Sequence, residues 1–435
     1  TPALAPTPAP APTPAPAPTP APAAEGRALS PWRKWRAAEA GATGEAKGTA
    51  PRPRRRPVDF SLYFFGNYDA AFHDDKYRLL LEGARFADGH GFRAVWLPER
   101  HFHSFGGLSP NPSVLAAALA TQTERLHLRA GSVVVPLHHP VRIAEEWSVV
   151  DNLSKGRVGI SIASGWHAND FVLAPEAFAD RRDRMLEGIE QVRALWRRGS
   201  LELPGPDGKQ VEVTLVPRPV QAELPLWVAV VNNPETYRLA GRLGLGVLSS
   251  LMTQSPQELA ANLALYRAAL AEHGHPEEKG HVTLLLHAHL GADLDETRRR
   301  ARGPFLEYLR SSVGLFSTLG RGGGVQVGFD EARPEDLEYL YDVAYKRYVS
   351  EAALLGTPES CAPVVEALQG MGVDEISCLV DFGLPADDVL ASLPYLDTLR
   401  RKSQAPAATR PTPAAQPTPA AQPTPAAQPT PAARP

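Results

Sequence analysis

Glu99, Arg100, His101 and His103 crowd into the stretch Val95–Gly107, VWLPERHFHSFGG, where an apolar strand-like run gives way to charge, imidazole and glycine. Imidazoles move protons near neutral pH and a carboxylate orients them. A guanidinium stays cationic and stabilises negative charge as it develops. The same residues also suit an ion-pair network that only holds a loop. Other strand-like runs end in small residues flanked by hydrogen-bonding groups: Gly131-Ser132, then Ala163-Ser164-Gly165-Trp166 with His167, then Asn232-Asn233-Pro234-Glu235-Thr236. Small side chains let a planar ring lie against the backbone, and amides at a helix start receive a phosphate. Taken as a set, these runs predict a pocket for a planar, phosphorylated cofactor. Elsewhere, His138-His139 before Pro140 reads as a helix cap. His287 and His289 share a strand face as core histidines, and Trp147 reads as packing.

Strand-like and helix-like segments must alternate to place these residues together. The strands read as 60–66, 92–97, 126–136, 156–163, 225–231, 246–251, 282–291 and 374–383, with helical spacing between them. Residues 200–216 read as a hairpin turning at Pro206-Asp207-Gly208. Eight βα steps with nearly continuous apolar strands predict an α/β fold, a (β/α)8 TIM barrel with loop insertions. In that architecture the loops after the strand C-termini converge on one face, which carries the chemistry. A doubly wound sheet competes, but no strand is followed by a GxGxxG turn.

Composition sets limits. Of the 44 prolines, 24 fall in residues 1–57 and 404–435. These Pro/Ala-rich and Pro/Thr/Ala/Gln ends offer nothing to bury and read as disordered linkers, 1–57 and 403–435, of a longer polypeptide. They flank one domain, 58–402. "LSPWRKWRAAEA" reads as one short helix and "RPRRRP" as solvated linker. The ends carry net charges of +6 and +2 against a formal −3 for the chain, so 58–402 is near −11 and repels a nucleic-acid backbone. Two cysteines, Cys361 and Cys378, give neither a disulfide framework nor a metal spacing. No apolar run reaches membrane-spanning length and the start is unlike a signal peptide, so the expected compartment is the cytoplasm.

The ordered series "GFRAVWLPERHF", "LRAGSVVVPLHHPVRIAEEW", "VDNLSKGR" and "SGWHANDF" resembles the bacterial luciferase-like flavin monooxygenases. In its detail it is most similar to the MupA-type domains embedded in polyketide and nonribosomal peptide megasynthases. The resemblance implies a TIM barrel that binds reduced FMN and transfers one oxygen atom from dioxygen. It also implies a non-prolyl cis peptide at Gly131-Ser132 beneath the flavin. Flavin contacts would fall on Phe64, Gly131, Ser132, Ala163, Ser164, Gly165 and Trp166, and on Asn232, Asn233, Glu235 and Thr236 after the fifth strand. Luciferase carries an arginine where Ser164 stands, which leaves the phosphate more dependent on backbone amides. Luciferases read Glu-His-His-Phe in the first motif, and Arg100 takes the place of the catalytic histidine. Arginine does not relay protons near neutral pH, so Arg100 is the electrostatic candidate, and His101 and His167 are the proton-transfer candidates.

The activity implied is oxygenation, by hydroxylation or by insertion beside a ketone, of a polyketide or peptide intermediate held on a carrier protein in natural-product biosynthesis. Neighbouring megasynthase domains are then partners. Reduced flavin comes from a separate reductase, because no second nucleotide-binding domain fits in the chain, and relatives often form homodimers. The alternatives are a deazaflavin-dependent oxidoreductase on the same barrel and a non-catalytic docking or spacer module.

Overall fold

The computed structural model describes residues 57–66, 75–252, 254–316 and 334–404. Residues 1–56 and 405–435 of the expected linkers, with the short helix expected near Trp32, and the glycine-rich sequence 320–324 lie outside the described residues.

Short, fully apolar runs make the strands. β1 (Asp59–Tyr63), β2 (Ala94–Leu97), β3 (His127–Val134), β4 (Val158–Ala163), β7 (Leu226–Ala229), β8 (Gly246–Ser250), β9 (Val282–Leu290) and β11 (Glu375–Leu379) pair in parallel, neighbour to neighbour. β8 joins β9, β9 joins β11 and β11 joins β1, so the sheet closes into an eight-stranded barrel. The predicted hairpin is present as β5 (Ser200–Pro204) against β6 (Gln210–Thr214), with Gly208 in the left-handed region at its turn. One strand escapes the sequence reading. β10 (Ala353–Gly356) runs beside His287–Leu290 of β9, above the point where β8 leaves that edge. Its four apolar residues follow a helix directly, and so short a run carries no period that separates strand from helix.

Helices return the chain outside the barrel, among them α1 (Arg78–His90), α2 (Pro112–Ala120), α3 (Pro140–Ser154) and α4 (Arg181–Arg198). They continue with α5 (Pro234–Arg242), α6 (Pro256–Glu272), α7 (Leu294–Phe316), α8 (Pro334–Glu351), α9 (Pro358–Gly370) and α10 (Ala386–Gln404). α2, α3, α5, α6 and α9 each begin with proline after a capping side chain, namely Asn111, His139, Asn233, Ser255 and Thr357. A cap accepts an orphan amide and proline presets the first helical φ, so the pairing places helix starts firmly. His139 is thus the cap expected of the His-His pair, and Trp147 is buried packing. α10 runs to Gln404, whose amide donates to the Val58 carbonyl and ties the end of the domain to its start.

The barrel interior near the strand starts is not apolar. The Glu375 carboxylate, fully buried, accepts from Ser61 Oγ (2.7 Å), Trp96 Nε1 (2.8 Å) and Arg129 Nη1 (2.7 Å). The Arg129 guanidinium packs against both Trp96 and Trp227, at 5.0 and 4.6 Å from their ring centroids, the two rings meeting edge to face. Gly159 makes the room: a Cβ there would come within 2.8 Å of the Trp227 ring.

Burial alone would push the Glu375 carboxyl up, but the Arg129 charge, His281 and the hydrogen bonds outweigh it and hold the group down at about 2. A carboxylate whose pKa is depressed on folding adds stability above its unfolded value and loses it as pH falls through the folded one. Glu375 is therefore expected to contribute about 3 kcal/mol at neutral pH, lost progressively below about pH 4.5. Urea unfolding at pH 7 and pH 3 checks this. Glu375→Gln is expected to be weakened at pH 7 by the unpaired Arg129 and to show a shallower acid loss than the parent. Equal acid losses in the two chains would place the linkage elsewhere.

Candidate active site

The loops after β2, β3 and β4 meet over the strand C-termini and divide the Glu99-Arg100-His101 run between two networks. Glu99 is buried. Its Oε2 accepts from the Val134 amide at the end of β3 (2.7 Å), and its Oε1 accepts from His101 Nε2 (3.0 Å) and His138 Nε2 (2.5 Å). His138 is about a third exposed and His101 nearly covered, so Glu99 links an imidazole at the surface to one inside. Burial would raise the Glu99 carboxyl, yet the bonds from both imidazoles and from Val134 hold it below its ordinary value. Burial would lower His138, and its bond to Glu99 with the carboxylate charge raises it instead.

Arg100 turns the other way. Its side chain is 2% exposed, and Nη1 donates to Asp170 Oδ2 (2.6 Å). The guanidinium faces the Trp166 ring at 5.3 Å. Nε and Nη2 of Arg100 are buried with no hydrogen-bond partner, as are Oδ1 of Asp170 and Nδ1 of His167, the last two 3.5 Å apart. Burial, then the charge of Arg100, keeps His167 below the ordinary histidine range, so it is neutral at pH 7. A buried guanidinium with two uncommitted donors beside a neutral imidazole can receive an oxyanion and exchange a proton with it. Asp170 was not singled out in the sequence. Its signal was its place three residues after His167, on one turn of the 3-10 segment Ala168–Leu173.

Other predicted residues fall into place unequally. The Gly131–Ser132 peptide bond is cis. The space beside Gly131, however, belongs to the protein: a Cβ would meet Tyr63 at 2.8 Å and Trp96 at 3.2 Å, and the Tyr63 hydroxyl donates to the Gly131 carbonyl. Gly165 is left-handed, with Phe171 and Val134 against its missing side chain. Phe64 is a correction. Its ring points out of the barrel to Gly83 of α1, as does Leu62. Strand alternation assigns the inward face to Ser61 and Tyr63 and, one step on, to Phe65, which packs on Phe105. That period was visible in FSLYFF. Ala163, Ser164 and Trp166 are partly exposed at the end of β4. Asn232–Thr236 follow β7, the neighbour of β4. Asn233 spends its side-chain oxygen on the Glu235 amide as the cap of α5, and Glu235 pairs with Arg238, so this turn offers a phosphate fewer amides than expected. His287 is a core histidine, ringed by Phe305, Tyr308, Tyr348 and Phe382, with Nδ1 3.0 Å from the Tyr348 hydroxyl.

The closed parallel barrel thus gathers buried acid, base and guanidinium groups on its C-terminal face, where (β/α)8 enzymes carry their chemistry. The profile of the luciferase-like monooxygenases matches residues 58–375. The chain is 26% identical over 328 residues to the oxygenase component of the flavin-dependent trigonelline monooxygenase of Acinetobacter baylyi, covering 73% of this chain and 87% of that one. Monooxygenase RslO1 from Streptomyces bottropensis superposes with a TM-score of 0.66 at 26% identity, over 78% of this chain and 98% of the other. The oxygenating constituent of 3,6-diketocamphane monooxygenase from Pseudomonas putida, a type II Baeyer-Villiger monooxygenase in complex with FMN, gives 0.64 at 18% identity, over 80% and 98%. The chain belongs to the luciferase-like monooxygenase family and is a flavin-dependent monooxygenase. Among the described residues no helix is long and apolar enough to cross a membrane.

The Glu99 network makes a prediction about His138. NMR of the imidazole resonances should find His138 titrating above the ordinary histidine range. In Glu99→Gln the main raising partner is gone while burial and the weaker pull of Glu146 remain, so the same resonance should titrate at lower pH than in the parent. An unchanged His138 titration in a folded variant would show that Glu99 does not set it.

Proposed function

We propose that this domain is the FMN-dependent oxygenase component of a two-component monooxygenase, with an apolar acyl or peptidyl chain on a carrier protein as its substrate. The observation that carries the reading is Arg100, buried beside Trp166 with two donors uncommitted. The backbone at Gly131 and Ser132, with Ala163 and Ser164, would hold the flavin ring from above the filled interior, and Asn232 and Thr236 its phosphate. Bound reduced FMN supplies two electrons to dioxygen, one atom of which enters the substrate while the other leaves as water. The chain's own part is to exclude water, hold charge and move protons. Arg100 Nε and Nη2 stabilise negative charge on the reacting oxygen, with Asp170 fixing the guanidinium. His167, neutral at pH 7, takes or returns a proton at Nδ1, and His101 is the second proton-transfer candidate, connected to the surface through Glu99 and His138.

Two features support a tethered apolar chain. Phe102, Val172 and Leu173, on the loops after β2 and β4, expose large apolar side chains on the face that carries Arg100. Phe102 does so at a φ of 53°, a left-handed backbone unusual for a bulky residue. Proline-rich ends of linker composition fit a domain seated between others in a MupA-type megasynthase, with residues 1–57 and 405–435 as its linkers and the cytoplasm as its compartment. A separate reductase would deliver the reduced flavin.

Anaerobic titration with reduced FMN, then admission of oxygen with a carrier-bound acyl chain and mass analysis of the carrier, tests the reading. Saturable binding and a gain of one oxygen atom are expected. No flavin binding would favour a spacer module, and preference for reduced deazaflavin without oxygen transfer would favour the oxidoreductase alternative. Arg100→Ala is expected to bind FMN as the parent does, lose coupled turnover by about 3 kcal/mol, on the order of a hundredfold, and release hydrogen peroxide instead. Full coupled turnover in that variant would make Arg100 structural.

A further inference from the structure

A cavity of about 310 Å³ opens at the opposite end of the barrel from the chemistry. It is lined by Arg93, His127, Val158, Leu226, Gly246 and His281, each at or just before the start of its strand. Five permanent cations line it, Arg93, Arg129, Arg193, Arg197 and Lys279, against two carboxylates, Glu223 and Glu278. Arg197 and Lys279 share Glu223, at 3.2 and 3.3 Å. The remaining partners do not line the cavity: Asp59 is 4.0 Å from Arg93, Glu190 is 3.1 Å from Arg193, and Glu375 holds Arg129 from the barrel interior. The cavity is therefore bordered by more cation than anion, with apolar wall from Leu224, Leu226 and the indoles of Trp196 and Trp227.

Two further observations agree. Arg129 is 3% exposed, and its buried Nε has no hydrogen-bond partner. His127 is pushed down to about 3, by burial and then by the charges of Arg129 and Arg93, with Glu375 opposing; His281 is pushed down by burial and by Arg129, against the carboxylates of Glu375 and Asp374. Neither imidazole is charged at neutral pH, so both can serve as neutral hydrogen-bonding groups in a pocket whose charge is carried by guanidinium and ammonium. Planar guanidiniums recognise carboxylate and phosphate oxygens in pairs, and the apolar wall suits a small hydrocarbon or ring body.

We propose that this cavity is a second binding site, for a small organic anion with a carboxylate or phosphate head and an apolar body, separate from the flavin and substrate face. Recognition places the head among Arg93, Arg193 and Lys279 and the body against Leu226 and Trp227. Nothing in it depends on the identity of the oxygenated substrate.

Calorimetry on the full chain with FMN saturating the other face tests the site, using AMP as the phosphate probe and 1-naphthoate as the carboxylate probe. One probe or both should bind with a single site per chain, and which binds identifies the head. Lys279→Glu and Arg193→Glu should each weaken that binding by about tenfold through reversal of one contacting charge, while FMN affinity and the thermal melt stay with the parent. Should Arg193→Glu alter the melt, because Arg193 also donates to the Leu243 carbonyl, the more exposed Lys279→Glu decides. Absence of binding by both probes at millimolar concentration overturns the proposal, and so does binding that Lys279→Glu leaves unchanged.

Discussion

A charge enclosed in a closed barrel has to be matched there, and the Glu375–Arg129 pair meets that constraint with five strands at once. Glu375 is on β11, Ser61 on β1, Trp96 on β2 and Arg129 on β3, and His281 stands at the start of β9. Leaving either charge single in this interior would cost several kcal/mol, so strands far apart in the chain are held to one register. The layer above inherits that register. Gly131, two residues after Arg129 on the same face, takes the ring and hydroxyl of Tyr63, and Tyr63 is two residues after Ser61. The interior is filled to that height, and chemistry is left to the loops above.

Those loops are held by the same economy of buried charge. Glu99 ties the loop after β2 to the end of β3 and collects two imidazoles; Arg100 ties the same loop to the segment after β4 through Asp170. Two consecutive residues, Glu99 and Arg100, thus brace three strand ends. The residues that read along the chain either as an ion-pair network or as a reactive set divide atom by atom, some engaged in the network and some without a partner. Glu99 is satisfied on both oxygens, while Arg100, His167 and Asp170 each keep a buried polar atom without a partner. The uncommitted atoms gather beside Trp166, which separates the part of the loop that holds from the part that can react.

Much of the architecture was legible along the chain because its signals are local. Proline after a capping residue marks where helices begin, apolar runs mark buried strands, and Pro206-Asp207-Gly208 marks a hairpin. The ordered motifs from Gly91 to Phe171 carried the family. Phe64 was legible too, since alternation from Ser61 already turns it outward. Gly131 and Gly165 could be marked as special, but their neighbours Tyr63, Trp96, Phe171 and Val134 could not, because a missing side chain does not record what fills its place.

What the amino-acid sequence determined by itself is the order of the eight barrel strands and the helices between them, the chemistry available at the strand ends, and a stretch of net negative charge between proline-rich ends. Only the tertiary structure decided which groups meet. That His138 shares a carboxylate with His101, that Asp170 holds Arg100, that β10 extends the edge of β9, and that five cations border a cavity beneath the barrel all follow from which strands and helices pack side by side. Closure brings residues hundreds of positions apart within hydrogen-bond distance, and no short-range period along the chain encodes those distances.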